Sequence, residues 1–413
     1  MTPPRQRVPP WALPVGIAAA GLAYRLLYLV EQGATSPLFH QPMLDEAEAL
    51  ASARALLAGE GRGEGPRCKA PLHAILMAAF IALTGDAWPW TMRLAQHVLG
   101  ALLALMGHDA ARRLAGPGRR GIVAGAIAGV VLAFYAPLVR LENQLVLDTW
   151  SVSLQSALLW ALLRLGGRRR ARWALLAGLL AALAWLTRPT ITPVLPLLAW
   201  WIVGWRPHRA PATRCKAAVV FLAPVVVAAG LVGARNAAAG SFMVLPWQGG
   251  FNLFEANRPG ASGRYLKQEG RAAGGEANPT RRLALDGYLE AVARGEAAAP
   301  PPGQLEKAAN AWWSRRAREA IAADPLRWLG LMGRKAVYLA SEREIFNFED
   351  YGVQKALSPL LARNPLGFGI VWPLALASLA AMGLATRGRR RLDALCWIYL
   401  LGLGAAIALY YTS

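Results

Sequence analysis

The chain has 413 residues, 55% of them hydrophobic, with a mean hydropathy of +0.31 and a formal net charge of +21. Apolar content above the roughly 45–50% of soluble domains, arranged in runs approaching the roughly 20 residues that cross a bilayer, excludes a soluble helical protein and reads as a multi-span membrane protein. The basic charge sits in short arginine clusters between those runs and not on a nucleic-acid-binding face, and Cys68, Cys215 and Cys396 form neither a CxxC nor a Cys/His set, which removes zinc and a disulfide framework.

The first span is expected at Trp11–Val30, behind Arg5 and Arg7, as a signal anchor without a clear small-residue cleavage site. Further apolar runs cover residues 71–84, 90–107, 121–139, 149–166, 173–187, 190–205, 217–234, 365–386 and 393–411. If every run crosses, the clusters at Ala111–Arg120 and Gly166–Trp173 fall outside, against the positive-inside rule. Pro71–Thr84 is only about 14 residues, a length typical of re-entrant or interfacial segments. Left uncrossed, it puts Arg112, Arg113, Arg119, Arg120, Arg168–Arg170, Arg172, Arg206–Lys216 and Arg387–Arg391 all inside. The expected fold is an all-α polytopic membrane protein of about nine transmembrane helices with interfacial helices, N-terminus inside and C-terminus outside. Three units follow: a seven-span module over 1–234 that includes a first outer loop at 31–89, an outer loop region with amphipathic helices over 235–364, and a two-span hairpin over 365–413.

Four segments then lie outside. The first opens with "LDEAEALASARALLAG", where Asp45 and Glu48 fit an N-terminal capping box, a role compatible with chemistry because a cap fixes its carboxylate. The second, Arg140–Asp148, carries Glu142 and Asp148; the third is the turn Thr187–Thr190. The fourth, from about Arg235, has a Gly/Pro/Ala-rich loop at Gly270–Gly303 and then "LEKAANAWWSRRAREAIAA", whose Trp312 and Trp313 suit a membrane interface. Lys69, Arg93, Arg188 and Arg235 stand near the outer helix ends. Each alone is compatible with snorkelling to headgroups; together, beside two acid pairs, they suggest an anionic lipid headgroup as ligand. A carboxylate base beside a phosphate clamp fits attack of an acceptor hydroxyl on the anomeric carbon of a sugar joined to a lipid phosphate.

The order "QPMLDEAEALASARALLAGEG", "KAPLHAILMAAFIALTG", "TMRLAQHVLGALLAL", "AFYAPLVRLENQLVLDTW", "AWLTRPT", "GARNAAAGSFMVLPWQGGFNLFEANRPGASG" and "PLRWLGLMGRKAVYLASEREIFNFEDY" resembles the C-superfamily (GT-C) integral-membrane glycosyltransferases. The branch it resembles holds the protein mannosyltransferases and the lipid A aminoarabinose transferases. The resemblance implies a polyprenyl-phosphate-linked sugar as donor and a protein, lipid or glycan acceptor. It also implies inversion at the anomeric centre, a bacterial inner membrane and a periplasmic active site. It makes Asp45 the catalytic base, with Glu46 and Asp148 as partner acids, and Lys69 the phosphate-meeting lysine. Arg93, Glu142, Arg188, Arg235, Glu344 and Asn347 complete the expected substrate-binding set. Some relatives hold a divalent cation between such acids, so Mg²⁺ or Mn²⁺ on Asp45, Glu46 and Asp148 is a second role for the same carboxylates. The "GGFN…EAN" segment resembles bacterial members without an assignable role. Where relatives have a double proline and an aromatic residue, this chain has Ala70–Pro71 and Ala49, which bears on substrate identity more than on reaction class. Two other readings share the cationic sites: a transporter or flippase, which needs ionisable residues deep in the spans where the sequence has almost none and inverted repeats it does not show, and a non-catalytic binder of lipid-linked sugars.

Overall fold

The computed structural model describes residues 9–43, 45–60, 65–165, 170–204, 210–264, 279–341, 351–385 and 390–410. Their regular elements are helices. In chain order they are α1 (Ala12–Thr35), α2 (Asp45–Leu57), α3 (Leu72–Thr84), α4 (Trp88–Ala115), α5 (Arg119–Phe134), α6 (Ala136–Glu142), α7 (Leu147–Leu163), α8 (Arg170–Thr187), α9 (Val194–Gly204) and α10 (Pro211–Ala238). After these come α11 (Gly249–Asn257), α12 (Pro279–Ala293), α13 (Leu305–Ala323), α14 (Pro325–Ala340), α15 (Tyr351–Leu357), α16 (Pro359–Ala362), α17 (Phe368–Ala385) and α18 (Arg390–Ala408).

A helix stands at each of the expected spans. Among the described residues, α1, α8, α10 and the stretch Leu72–Ala115 are long and apolar enough to cross a membrane, and α5 with α6 adds a fifth as a pair bent by 47°. Val194–Gly204, Phe368–Ala381 and Leu392–Ala408 are apolar but shorter. Helix α3 is about 20 Å long at 1.5 Å per residue, less than a hydrocarbon core of about 30 Å. It is set off from α4 by a 3-10 turn that starts at Gly85, whose φ of 53° suits glycine.

Small residues let the central helices close up. Ala161, Ala174, Ala177, Ala181 and Ala184 are fully buried where α7, α8 and α10 meet, and a Cβ at Gly178 would land on the Phe221 carbonyl of α10. The same helices sort charge by end. On α7, Asp148 stands in the first turn while Arg164 follows the last, about 24 Å away along the axis. At that far end Asp109 accepts from Arg113, Trp160 and Arg164. Asp148, and the Asp45 segment tied to its loop through Glu46 and Leu145, lie toward the opposite end.

The bend between α5 and α6 has a local cause. Pro137 has no N–H to give Ala133, and the Ala136 N–H goes instead to Leu366. The stranded carbonyls of Leu132 and Ala133 both accept from Arg25 of α1. Arg25 is fully buried inside a span, so the expectation of almost no ionisable groups there is corrected.

Helices α11–α13 form a separate aromatic cluster of Trp247, Phe251, Tyr288, Trp312 and Trp313. Trp312 and Trp313 are buried in it, with Trp313 Nε1 donating to Ala284, and are not the interface anchors the amphipathic pattern suggested. The "GGFN…EAN" segment is α11, and it has a structural role. The Gly250 N–H donates to Asn310, and Asn257 links α11 to Leu409 beyond α18 and to Trp328 of α14.

Candidate active site

The N–H groups of Glu46 and Ala47 both donate to the Met43 carbonyl, so Asp45 already lies inside the first turn of α2 and is not the cap that the box pattern placed there. Three residues on, Glu48 falls on the same face one turn later. Between them sits Lys69: its Nζ donates to Asp45 Oδ1 at 2.9 Å and to Glu48 Oε2 at 2.6 Å. The Asp45 carboxylate is 63% exposed and Glu48 only 14%. Burial pushes the Glu48 carboxyl above its usual range, against the opposing pull of Lys69. Burial alone would lower the Lys69 ammonium, but the charges of Asp45 and Glu48 outweigh it and hold Lys69 above an ordinary lysine.

Lys69 is delivered by a pinned segment. The Gly65 carbonyl accepts from Arg235 of α10, the Arg67 N–H donates to Asn236, and the Arg67 carbonyl accepts from the Trp247 N–H. Beside Lys69 a shallow, mostly apolar depression is lined by Pro71, Trp185, Pro189, Val232 and Pro246.

The second acid comes from the α6–α7 connection, whose backbone is held by buried side chains from three other helices. Arg93 donates to the Asn143 carbonyl at 2.7 Å and Gln96 to Gln144 at 2.9 Å. His73 Nε2 lies 2.9 Å from the Leu145 carbonyl, and the Leu145 N–H donates to Glu46 Oε1 at 2.6 Å. Asp148 then starts α7 and pairs with Arg188 at 2.8 Å, both side chains partly exposed. The contacts of Glu46 and His73 with Leu145 thus bring the two acid-bearing loops to one place.

Of the expected site residues, Asp45 pairs with Lys69 and Asp148 with Arg188, all partly exposed and on loops that the Glu46–Leu145 bond joins. The structure puts others to different use. Glu46 is buried on the second loop's backbone, Arg93 is buried under that loop with Phe39 stacked 3.9 Å away, and half-buried Arg235 holds the Lys69 segment. Glu142 is fully buried on Arg25 and His97 and does not face the site. Glu344 and Asn347 lie outside the described residues. Among the described residues no three of His, Cys, Asp and Glu are placed to hold a metal ion. Glu46 is turned to the Leu145 N–H while Asp45 and Asp148 each face a cation, so the expected Asp45–Glu46–Asp148 ligand set is not assembled. Sequence reading missed Glu48 as a partner of Lys69, and missed His73 and Gln96 altogether. The only available signal for these two was a polar residue inside an apolar run, which does not reveal its partner.

Residues 68–230 match the family model of dolichyl-phosphate-mannose-protein mannosyltransferases. The matched segment holds Lys69, Asp148 and Arg188 but starts after Asp45, and it spans less than half of the chain. Among solved structures, the chain is similar to ArnT from Cupriavidus metallidurans bound to undecaprenyl phosphate. Identity is 19% and the TM-score 0.40, over 96% of this chain and 76% of that one. No curated protein matches the chain.

Proposed function

We propose that this protein is a membrane glycosyltransferase that moves a sugar from a polyprenyl-phosphate donor to a hydroxyl acceptor at the outer, periplasmic face of a bacterial inner membrane. The observation that carries this reading is the Asp45–Lys69 ion pair at an open surface, on a chain whose membrane core carries the mannosyltransferase-family segment. Lys69 meets the donor phosphate, and the apolar surface beside it is where the first part of the prenyl chain lies. Asp45, released from Lys69 by the phosphate, accepts the proton of the acceptor hydroxyl. The acceptor oxygen forms its bond to the anomeric carbon as the bond from that carbon to the phosphate oxygen breaks. The electron pair leaves with the phosphate, where Lys69 stabilises the growing charge. Direct displacement of this kind inverts the anomeric centre. Arg188, held against Asp148, is a second cation within the same cluster, suited to the phosphate or the sugar.

The test is transfer by the purified protein, supplied with polyprenyl-phosphate sugars and candidate acceptors and followed by mass spectrometry. Product from wild type and its loss in Asp45→Asn are expected. Equal transfer by the two proteins would remove Asp45 as the base. Absence of transfer with every donor tried, together with undiminished binding of undecaprenyl phosphate, would favour a non-catalytic binder.

A further inference from the structure

A phosphate clamp built only for tight binding would leave its lysine with as few anionic neighbours as possible. Lys69 is instead contacted by two carboxylates, and one of them serves no step in the transfer. Asp45 is exposed and can swing aside as the base. Glu48 is mostly buried, makes the shorter contact at 2.6 Å, and sits one helical turn further along α2. With both acids ionised the three side chains sum to one net negative charge. When a donor phosphate displaces Asp45 from the lysine, Glu48 still contacts the ammonium.

The two phosphates this site handles differ in charge. The donor is a phosphodiester with one negative charge. The departing polyprenyl phosphate is a monoester, which approaches two negative charges above a second pKa of about 6. A fixed negative charge repels the second about twice as strongly as the first. We propose that Glu48 is a specificity-determining residue that makes Lys69 prefer the singly charged donor over the doubly charged product, and so promotes product release. The inference rests on the reading of Lys69 as the phosphate ligand.

The experiment measures the affinity of two probes in detergent at pH 7.5: undecaprenyl phosphate, and a polyprenyl-phosphate sugar. Proteins compared are wild type, Glu48→Gln, Glu48→Asp and Lys69→Ala. Glu48→Gln keeps the shape and an acceptor oxygen and removes the charge. It is expected to tighten the phosphodiester by about 3-fold and the monoester by about 10-fold, because the charge acts twice on the latter. In turnover the same variant should show stronger product inhibition and a lower kcat with a lower KM. Glu48→Asp keeps the charge and should return the affinity ratio toward wild type. A merely structural role for Glu48 predicts equal weakening of both probes. Equal changes for both probes, or no change, in a protein whose binding still depends on Lys69, would overturn the Glu48 assignment and leave the phosphate clamp standing. If Lys69→Ala binds both probes as wild type does, or if wild type binds neither, the clamp falls and the Glu48 assignment falls with it.

Discussion

Glu142 and Asp148 stand six residues apart on one short connection, yet the fold gives them opposite environments. Glu142 has no exposed surface and is closed in by Arg25 at 2.6 Å and His97 at 3.1 Å. Asp148 is partly open and pairs with an equally open arginine. The difference lies in what surrounds each charge. The first network seals a break in the bundle, where Arg25 also takes the two carbonyls stranded before Pro137. Its members are closed off from solvent, and a buried pair that loses one partner leaves a charge with nothing to meet it. The second set keeps exposed ion pairs, which add little stability and exchange partners readily. Buried polar groups in this protein hold the scaffold; the solvent-open ones are those a ligand can reach.

Substitutions can break or sharpen that contrast. The largest effect on activity is expected at the open site. Asp45→Asn should lower transfer by about 10²–10⁴-fold, the usual contribution of a positioned base. Its melting temperature in detergent should stay near wild type, since exposed ion pairs contribute about 0–1 kcal/mol. A large fall in stability would make Asp45 part of the scaffold and erase the contrast. The reverse pattern is expected at Glu142. Glu142→Gln should cost about 3–5 kcal/mol of stability by leaving Arg25 uncompensated. Activity per folded molecule should change far less, as measured by thermal unfolding alongside transfer normalised to the folded fraction. Gly100→Ala follows, because a Cβ there would land on the Glu142 carboxylate. Overpacking typically costs about 1–3 kcal/mol, and an unchanged melting temperature would mean that the network relaxes more freely than its burial implies.

The helical, multi-span architecture was legible because apolar run length and arginine placement report it directly. The short run Pro71–Thr84 forms a helix of its own, capped by Gly85. Asp45 and Lys69 were both picked out as site residues, but their 2.9 Å contact was not predictable from residues 24 positions apart. Glu48 was read as half of a capping box because its spacing satisfies that pattern, and nothing local says that its carboxylate turns to Lys69. Glu142 and Arg93 were grouped with the ligand-facing charges because an ionisable residue near a helix end looks the same in sequence whether it faces a headgroup or a buried carbonyl. Arg25 gives no sequence signal for the complementary reason: apart from Gly21 one turn away, it meets two carbonyls and one carboxylate from segments over a hundred residues away.

The smallest effect on stability is expected where the contrast is most exposed, at Arg188. Both members of the Asp148–Arg188 pair are more than a third exposed, so water and salt already screen much of their attraction. Arg188→Lys keeps the charge and gives up the planar fork, so stability should move by less than about 1 kcal/mol. The matching change at the buried position is the sharper test. Arg25 uses Nε, Nη1 and Nη2 together to reach Glu142, Gly21, Ala133 and Leu132. A lysine offers one nitrogen for that set, so Arg25→Lys should destabilise the protein strongly even though the charge is kept. Paired unfolding curves of the two variants decide the matter. If they coincide, charge alone holds both places and burial does not separate scaffold from site; if only Arg25→Lys shifts, the multidentate geometry around the α5–α6 break is what the bundle depends on.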